Sequence, residues 1–164
     1  MPELNIDHTI RRAKHSDISG MIKLLGILFS IETDFTINEV IQQRGLEMML
    51  NGGTNRCVMV AELDQQIIGM CTAQILVSTA EGGIVALIED LVVEESCRGK
   101  GIGKELLLII ESWAIARGVS RLQLLADQNN TRALEFYKTM DWKVTQMICL
   151  RTCGTQRSVP GLPK

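Results

Sequence analysis

The sequence contains only two histidines, His8 and His15, and both stand near its start. A metal site built on histidine is therefore not expected. The five cysteines include no Cys-x-x-Cys pair and their number is odd, which favours reduced thiols in a cytoplasmic protein over disulfides or a structural zinc. The opening MPELNIDHTIRRA lacks the apolar core of a secretory signal. No apolar run approaches the roughly 18 residues that span a bilayer, so no membrane partner is expected.

A large excess of charge of either sign is also missing. The chain has 17 Lys and Arg against 19 Asp and Glu, a net charge of −2, so the basic surface that binds nucleic acid is not expected. The 164 residues, 46% of them hydrophobic, favour one domain over residues 1–164 with a core of its own. From about residue 152 the chain holds Gly and Pro with little hydrophobic pattern, which predicts an irregular tail.

Apolar residues recur at strand and helix periods in turn along the chain. Capping residues and glycine turns mark the predicted helix ends. The mixture favours an α/β or α+β layered fold. The predicted strands are His8–Lys14, Arg56–Leu63, Gln66–Ser78, Val85–Val93, Arg121–Ala126 and Trp142–Arg151, and the predicted helices run from a cap at Ser16 or Asp17 to about Ser30, from a cap at Thr36 or Asn38 to Gly52, from Gly101 to Arg117 and from Asn129 to Met140.

The stretch CRGKGIGKELL, Cys97–Leu107, places three glycines and three cations at the start of a predicted helix. Glycines let the backbone approach a ligand closely, and a helix start offers N–H groups that suit phosphate. A dinucleotide-binding motif would need a third glycine where Lys104 stands. A P-loop would need glycine in place of Arg98 and a hydroxyl in place of Glu105. Both of these phosphate-binding patterns therefore fail.

The same turn fits the pattern R-x-x-G-x-G, with Arg98, Gly101 and Gly103 at a strand–turn–helix junction. Together with VALIEDLVVEESCRGKGIGKELL and LQLLADQNNTRALEFYKTMDWKV, which lie within Val85–Val144, it resembles the GNAT superfamily of acyl-CoA N-acyltransferases. The resemblance implies a mixed, mostly antiparallel central sheet flanked by about four helices, acetyl-CoA as co-substrate and, as in many members, a homodimer. Asp141 stands where the family usually has glycine, and Asp tolerates a left-handed backbone better than most residues.

The resemblance assigns the pyrophosphate of coenzyme A to the glycine turn, where backbone N–H groups can wrap an anion and cations add charge. In the family the preceding strand parts from its neighbour, and its backbone pairs with the pantetheine arm. An asparagine touches the same arm, and a helix cap is its alternative role. The implied cofactor-binding residues are Leu91, Val92 and Val93 on the strand, Arg98, Gly99, Lys100, Gly101, Ile102, Gly103 and Lys104 in the turn, and Asn130.

Acyl transfer to an amine needs a neutral amine, a stabilised oxyanion and a proton for the leaving thiolate. Tyr137, the single tyrosine of the chain, stands at the family's tyrosine position and is implied to be the general acid, with packing as its alternative role. Glu89 and Asp90 are the only charges in an apolar strand, where neighbours point to opposite faces. By resemblance Glu89 is the general base, directly or through water, and Asp90 anchors substrate or accepts a structural bond.

The choice of acceptor is expected to depend on the segment FSIETDFT, Phe29–Thr36, because such a segment often walls the acceptor pocket in the family. Glu32 and Asp34 would hold a cationic amine and Phe29 or Phe35 would form an apolar wall, with a solvated loop as the alternative. Asp127, after a predicted strand, is a further acidic candidate. Acids around a cleft favour a small cationic amine over an anionic sugar phosphate.

The sequence therefore predicts an N-acetyltransferase that moves an acetyl group from acetyl-CoA to a primary amine, that of a small molecule, by direct transfer in a ternary complex. Two alternatives stay open. One is a non-catalytic module that senses acyl-CoA, and the other is a protein N-terminal or lysine acetyltransferase. Tyr137 and Glu89 together favour catalysis, because a sensor needs neither of them.

Overall fold

The structure, a computed structural model, describes residues 7–154. Five strands form one sheet: β1 (Thr9–Arg12), β2 (Arg56–Leu63), β3 (Gln66–Ser78), β4 (Gly83–Val93) and β5 (Leu122–Leu124). Their order across the sheet is β1-β2-β3-β4-β5. The first four strands pair antiparallel with their neighbours, and β5 pairs parallel with β4. A parallel pair needs a long crossover, which the segment between β4 and β5 supplies.

Four α-helices flank this sheet: α1 (Ile18–Ile31), α2 (Glu39–Leu50), α3 (Ile102–Ile115) and α4 (Thr131–Thr139). Side chains of β2 alternate between two buried clusters, since Val58 and Val60 pack with α1 and α2 whereas Cys57 and Met59 pack with α3. Such alternation places one layer of helices on each face of the sheet. The mixed, mostly antiparallel sheet with four helices that the sequence predicted is confirmed.

The helix that follows the glycine turn lies very close to the sheet. Ile102, Leu106 and Ile110 recur at helical spacing and are at most 1% exposed. A Cβ atom at Gly69 of β3 would stand only 3.1 Å from Cδ1 of Leu106, so the strand needs glycine there. This close packing fixes the start of α3 relative to the end of β4, where the candidate site lies.

The predicted last strand, Trp142–Arg151, is wrong. The structure gives this segment no regular secondary structure and leaves the apolar side chains after Trp142 in solvent. A strand requires ladder hydrogen bonds from a neighbour, whereas the side-chain hydrogen bonds that join this segment to other parts of the chain lie at its two ends. There Trp142 donates its indole N–H to Glu111 at 2.9 Å and Arg151 donates to the carbonyl of Asp34 at 3.1 Å. The exposed apolar residues are Val144, Met147, Ile148 and Leu150.

Two smaller differences concern the ends of the predicted elements. Strand β5 spans Leu122–Leu124, shorter than the predicted Arg121–Ala126. Of the predicted irregular tail, residues 152–154 lack regular structure, and the rest lies outside the described residues. Among residues 7–154, no helix combines the length and the apolar character needed to cross a membrane.

Candidate active site

The candidate site begins where β4 and β5 part. The last residue pair between these strands is Ile88↔Leu124. Strand β4 continues to Val93, whereas β5 ends at Leu124. Among the described residues, the backbone of 89–93 therefore has a partner strand on the β3 side alone. On the other side lies the gap between strands that the resemblance implies for the pantetheine arm.

A β-bulge interrupts β4 just after the two strands part. Thr72 of β3 pairs with Glu89, but the next pair along the two strands is Met70 with Val92. Two residues of β4 therefore stand opposite one residue of β3, which is the arrangement of a bulge. Asp90, the first of the two, has a left-handed backbone with φ of 52°. Such a conformation is uncommon outside glycine, although Asp adopts it more readily than most residues.

Two backbone hydrogen bonds show how the bulge changes the direction of the N–H groups. Ala86 donates to the carbonyl of Arg121 at 3.0 Å, on the β5 side, whereas Glu94 donates to the carbonyl of Ile68 at 2.8 Å, on the β3 side. Backbone groups alternate in direction along a strand. The backbone N–H groups of even-numbered residues of β4 therefore face β5 before the bulge. After the bulge, those of odd-numbered residues face that side.

The three predicted pantetheine-binding residues follow this inverted alternation. The N–H groups of Leu91 and Val93 point to the gap, and that of Val92 points to β3. Their side chains anchor the strand, since Val92 packs in the cluster under α1 and α2 while Leu91 and Val93 pack against the cluster under α3. The gap thus presents backbone donors held by a packed strand.

The glycine turn connects β4 to α3 through two left-handed residues. Gly99 has φ of 75° and Gly101, which immediately precedes the first residue of α3, has φ of 83°. Side chains strain such a backbone by about 1–2 kcal/mol per residue. The turn is tied to the gap, because Nε of Arg98 donates to the carbonyl of Val93 at 2.9 Å. The start of α3, whose first N–H groups have no partner within the helix, is thereby fixed beside the end of β4.

The other residues of the turn differ in what they can offer a ligand. Ile102 is 1% exposed, so its side chain belongs to the core and its backbone alone can face a ligand. The side chain of Lys100 donates to the carbonyl of Ser96 at 3.2 Å, and Lys104 is exposed. A Cβ at Gly103 would be 3.7 Å from Val93, an ordinary contact.

Tyr137 on α4 lies among aromatic rings close to the bulge. Its ring centroid is 5.2 Å from that of Phe136 and 6.2 Å from that of Trp142. Burial raises the pKa of Tyr137 above its usual value, and the nearby Cys71 and Glu32 add smaller increases. The phenol is therefore protonated throughout the neutral range, so it can donate a proton.

The adjacent carboxyl groups of β4 have different surroundings. Glu89 is exposed, whereas Asp90 is partly buried. Burial, followed by repulsion from Glu89, raises the pKa of Asp90 to about 6, while a hydrogen bond from Thr72 opposes this rise. The Thr72 hydroxyl lies 3.2 Å from Oδ2 of Asp90 and 3.1 Å from the carbonyl oxygen of Glu89.

The acidic candidates for acceptor binding come together on one side of the site. Burial raises the pKa of Glu32, at the end of α1, and repulsion from Asp90, Asp127, Asp34 and Glu89 raises it further. The four other carboxyl groups thus lie within electrostatic range of Glu32. Their combined negative potential there would attract a cation.

Phe35 stands beside these acids in the loop between α1 and α2. Its ring centroid is 5.3 Å from that of Phe29. The Phe35 ring also contacts Arg151, whose guanidinium carbon lies 4.7 Å from the ring centroid. The end of the segment 142–151 therefore packs on the predicted acceptor loop, a contact that the sequence did not indicate.

Two candidates make local bonds before α4. Oδ1 of Asn130 accepts from the N–H of Ala133 at 3.1 Å and caps the helix, so the implied cofactor contact would use its Nδ2. Oδ1 of Asp127 accepts from the N–H of Asn129 at 2.8 Å. Over residues 7–154 no three His, Cys, Asp or Glu side chains converge as a metal site would require.

A gap between strands that ends at a glycine turn and a helix start would suit an extended ligand with a pyrophosphate group, such as acyl-coenzyme A. Residues 27–142 match the Acetyltransferase (GNAT) family. This match covers well over half of the chain, and the chain belongs to the GNAT family of acetyltransferases. It is an acyltransferase of a family that uses acetyl-CoA.

Sequence and structure comparisons with other acetyltransferases agree with this family membership. The glucosamine 6-phosphate N-acetyltransferase of Trypanosoma brucei brucei is 27% identical over 139 residues, which are 84% of this chain and 90% of that protein. The structure resembles that of glucosamine-6-phosphate N-acetyltransferase from Arabidopsis thaliana, with a TM-score of 0.73 and 22% identity over 88% of this chain and 97% of that one. It also resembles an aminoglycoside acetyltransferase from an uncultured soil metagenomic sample, with a TM-score of 0.72 and 24% identity over 92% and 99% of the two chains.

Proposed function

We propose that this N-acetyltransferase moves the acetyl group of acetyl-CoA directly to a primary amine of a small molecule while both substrates are bound. The observation that carries the proposal is the position of Tyr137, which is partly buried against the cluster under α3 and within electrostatic reach of Glu32 and of Cys71, opposite the β4 bulge. This position supports a proton donor close to both the gap for the thioester and the acids for the amine.

The chain's own groups would hold acetyl-CoA along the gap. The N–H groups around Gly99 and Gly101 bind the pyrophosphate, and both φ values support this role because they let the backbone turn its donors outward. The N–H groups of Leu91 and Val93 bind the pantetheine arm and polarise the thioester carbonyl, so that developing negative charge on its oxygen meets fixed donors. Acetyl-CoA supplies the activated acyl group.

Proton transfers fall to two side chains on opposite parts of the site. Glu89 takes a proton from the acceptor ammonium, directly or through water, because an amine must be neutral to attack. Its exposure supports contact with a substrate. Tyr137 gives a proton to the leaving thiolate, which its protonated phenol can do at neutral pH. The Oδ2 atom of Asp90 is already bonded to Thr72, which supports a structural role for that carboxyl.

The acceptor is a small cationic amine. Glu32 and Asp34 hold its ammonium groups and Phe35 packs against its apolar part. The repulsion that Glu32 receives from four neighbouring carboxylates supports this preference, because a bound cation would relieve it. The named relatives act on a sugar phosphate amine and on aminoglycosides, which supports a small-molecule amine over a protein.

The first experiment is calorimetric titration with acetyl-CoA, followed by an assay of thiol release with a panel of amines. The panel contains glucosamine 6-phosphate, glucosamine, an aminoglycoside, a linear polyamine and peptides with a free N-terminus or lysine. Binding of acetyl-CoA with fastest thiol release on a polycationic small amine is the expected result. Fastest release on a peptide would make the protein a peptide acetyltransferase. Tight binding with no release on any amine would favour the sensor.

A further inference from the structure

Thr72 is a buried polar side chain in the middle of the sheet. It is 2% exposed, and its neighbours in β3 lie in the two apolar clusters. A hydroxyl at such a depth costs free energy unless it is hydrogen-bonded. Its two partners, the carbonyl oxygen of Glu89 and Oδ2 of Asp90, both belong to the bulge of β4.

One side chain thus ties both sides of the bulge to β3. Glu89 is the last residue of β4 with the original alternation, and Asp90 is the left-handed residue at which the alternation inverts. The left-handed backbone of Asp90 is strained. The carbonyl oxygen of Glu89 and the carboxylate of Asp90 share the single hydroxyl proton of Thr72, and the bond to the charged carboxylate offsets part of that strain.

The position of the bulge decides which N–H groups face the gap. Without it, the alternation set at Ala86 would turn the N–H of Val92 to the gap and those of Leu91 and Val93 to β3. Because the bulge is a single inserted residue, its loss would slip the register by one position and exchange these two sets. The donors that the gap offers to a thioester therefore depend on what holds the bulge.

We propose that Thr72 is a positioning residue for acyl transfer, whose hydroxyl holds the β4 bulge and so aims the N–H groups of Leu91 and Val93 at the thioester carbonyl. The inference rests on the proposed function of the same gap. Thr72 itself touches neither substrate. Its removal misaims donors rather than deleting them, so the loss lies below the roughly 10²–10³-fold drop in kcat that deletion of one oxyanion donor causes.

The wild type and three variants at this position separate the hydroxyl from the shape of the side chain. Thr72→Val replaces the hydroxyl of the native residue by a methyl group. Thr72→Ser and Thr72→Ala differ from each other by the hydroxyl alone. We expect kcat to fall about tenfold from Thr72 to Val and again from Ser to Ala. The KM for acetyl-CoA should change less than about threefold, because the glycine turn holds the pyrophosphate independently.

The Ser and Ala pair keeps the test open if the valine variant does not fold. If the wild-type enzyme is active, the inference would be overturned by equal kcat values in the wild type and Thr72→Val together with equal kcat values in Thr72→Ser and Thr72→Ala. So would a rise in KM for acetyl-CoA with unchanged kcat, which would mean that the hydroxyl serves binding alone. If kcat falls in proportion to the melting temperature across the wild type and the three variants, Thr72 is a structural residue only. Failure of the proposed function differs from all of these, since the wild-type protein would then release no thiol.

Discussion

Gly101 before α3 and Gly118 beyond its end share the same backbone conformation, with φ of 83° and 84°. A Cβ atom meets nothing within 4 Å at Gly118 and a side-chain oxygen at 3.9 Å at Gly101. The cost of a side chain is therefore one of backbone strain at both positions. They differ in location, since Gly101 belongs to the glycine turn before α3 and Gly118 lies at the opposite end of the helix.

The first prediction compares Gly101→Ala with Gly118→Ala. Each should lower the free energy of unfolding by about 1–2 kcal/mol, because alanine resists a left-handed backbone. Only Gly101→Ala should weaken acetyl-CoA binding, by about tenfold or more, since rotation of the turn removes N–H groups from the anion. Thermal unfolding and calorimetric titration measure the two effects. Equal acetyl-CoA affinity in both variants would remove the pyrophosphate from this turn.

The second prediction concerns Tyr137→Phe. Phenylalanine keeps the ring contacts with Phe136 and Trp142 and deletes only the hydroxyl. We expect kcat to fall on the order of 10²-fold, at the lower end of what a general acid contributes, with the Kd for acetyl-CoA unchanged. Steady-state kinetics and titration of the same preparation provide both values. A variant with full kcat would leave Tyr137 as a packing residue.

The third prediction follows the pH dependence of stability through Asp90→Asn. The pKa of Asp90 is raised from 3.8 to about 6 in the folded protein, so ionisation disfavours the folded state. Its stabilising contribution is fully present below about pH 4 and is lost as the pH rises through about 6. Asparagine stays neutral, adopts a left-handed backbone and keeps an oxygen for Thr72. The melting temperature of the variant minus that of wild type should therefore increase between pH 4 and pH 7.

Asp64→Asn is the matched control for this titration. Asp64 also has a left-handed backbone, with φ of 48°, but it is exposed in the turn between β2 and β3. The groups that act on Asp90 are the Thr72 hydroxyl and the carboxylate of Glu89, and both remain in the variant. Loss of the Asp90 charge also relieves the repulsion that raises the pKa of Glu32, which favours the variant in the same direction as the pH rises. A difference for Asp90→Asn that is no more dependent on pH than the difference for Asp64→Asn would mean that burial does not perturb this carboxyl.

The elements that the sequence predicted well are those with a local physical cause. The glycines and apolar period of α3 sit where the sequence indicated, and Asp141 adopts the expected left-handed backbone with φ of 63°. The β4 bulge escaped prediction because VALIEDLVV is a continuous apolar run whose register depends on β3. Thr72 was missed for the same reason, since a threonine in a strand is ordinary until its partner is known.

The failure at Trp142–Arg151 has a different origin. Its apolar residues favour a strand, but a strand forms only where a neighbour offers hydrogen bonds, and no local pattern states whether one does. The electrostatic effect of Asp127 on Glu32, about a hundred positions away in the chain, likewise depends on how the fold places the end of α1 relative to the segment after β5. The contact of Arg151 with the predicted acceptor loop belongs to the same class of long-range relationships.

The last prediction uses two arginines that make the same kind of contact at different places. The guanidinium of Arg151 lies 4.7 Å from the ring of Phe35 and donates to the carbonyl of Asp34. That of Arg117 lies 4.6 Å from the ring of Trp113 and donates to the carbonyl of Thr54. Replacement by lysine keeps the positive charge at each position and removes the planar stacked group.

Arg151→Lys should raise the KM for the amine about two- to fivefold, because loss of a stack worth about 0.5–1 kcal/mol loosens the wall of the acceptor pocket. The KM for acetyl-CoA should not change, since the glycine turn and the gap are untouched. Arg117→Lys should cost similar stability and leave both KM values as they are. If the two variants behave alike toward the amine, the loop around Phe35 is not an acceptor wall, and the choice of substrate must come from the acids near the bulge.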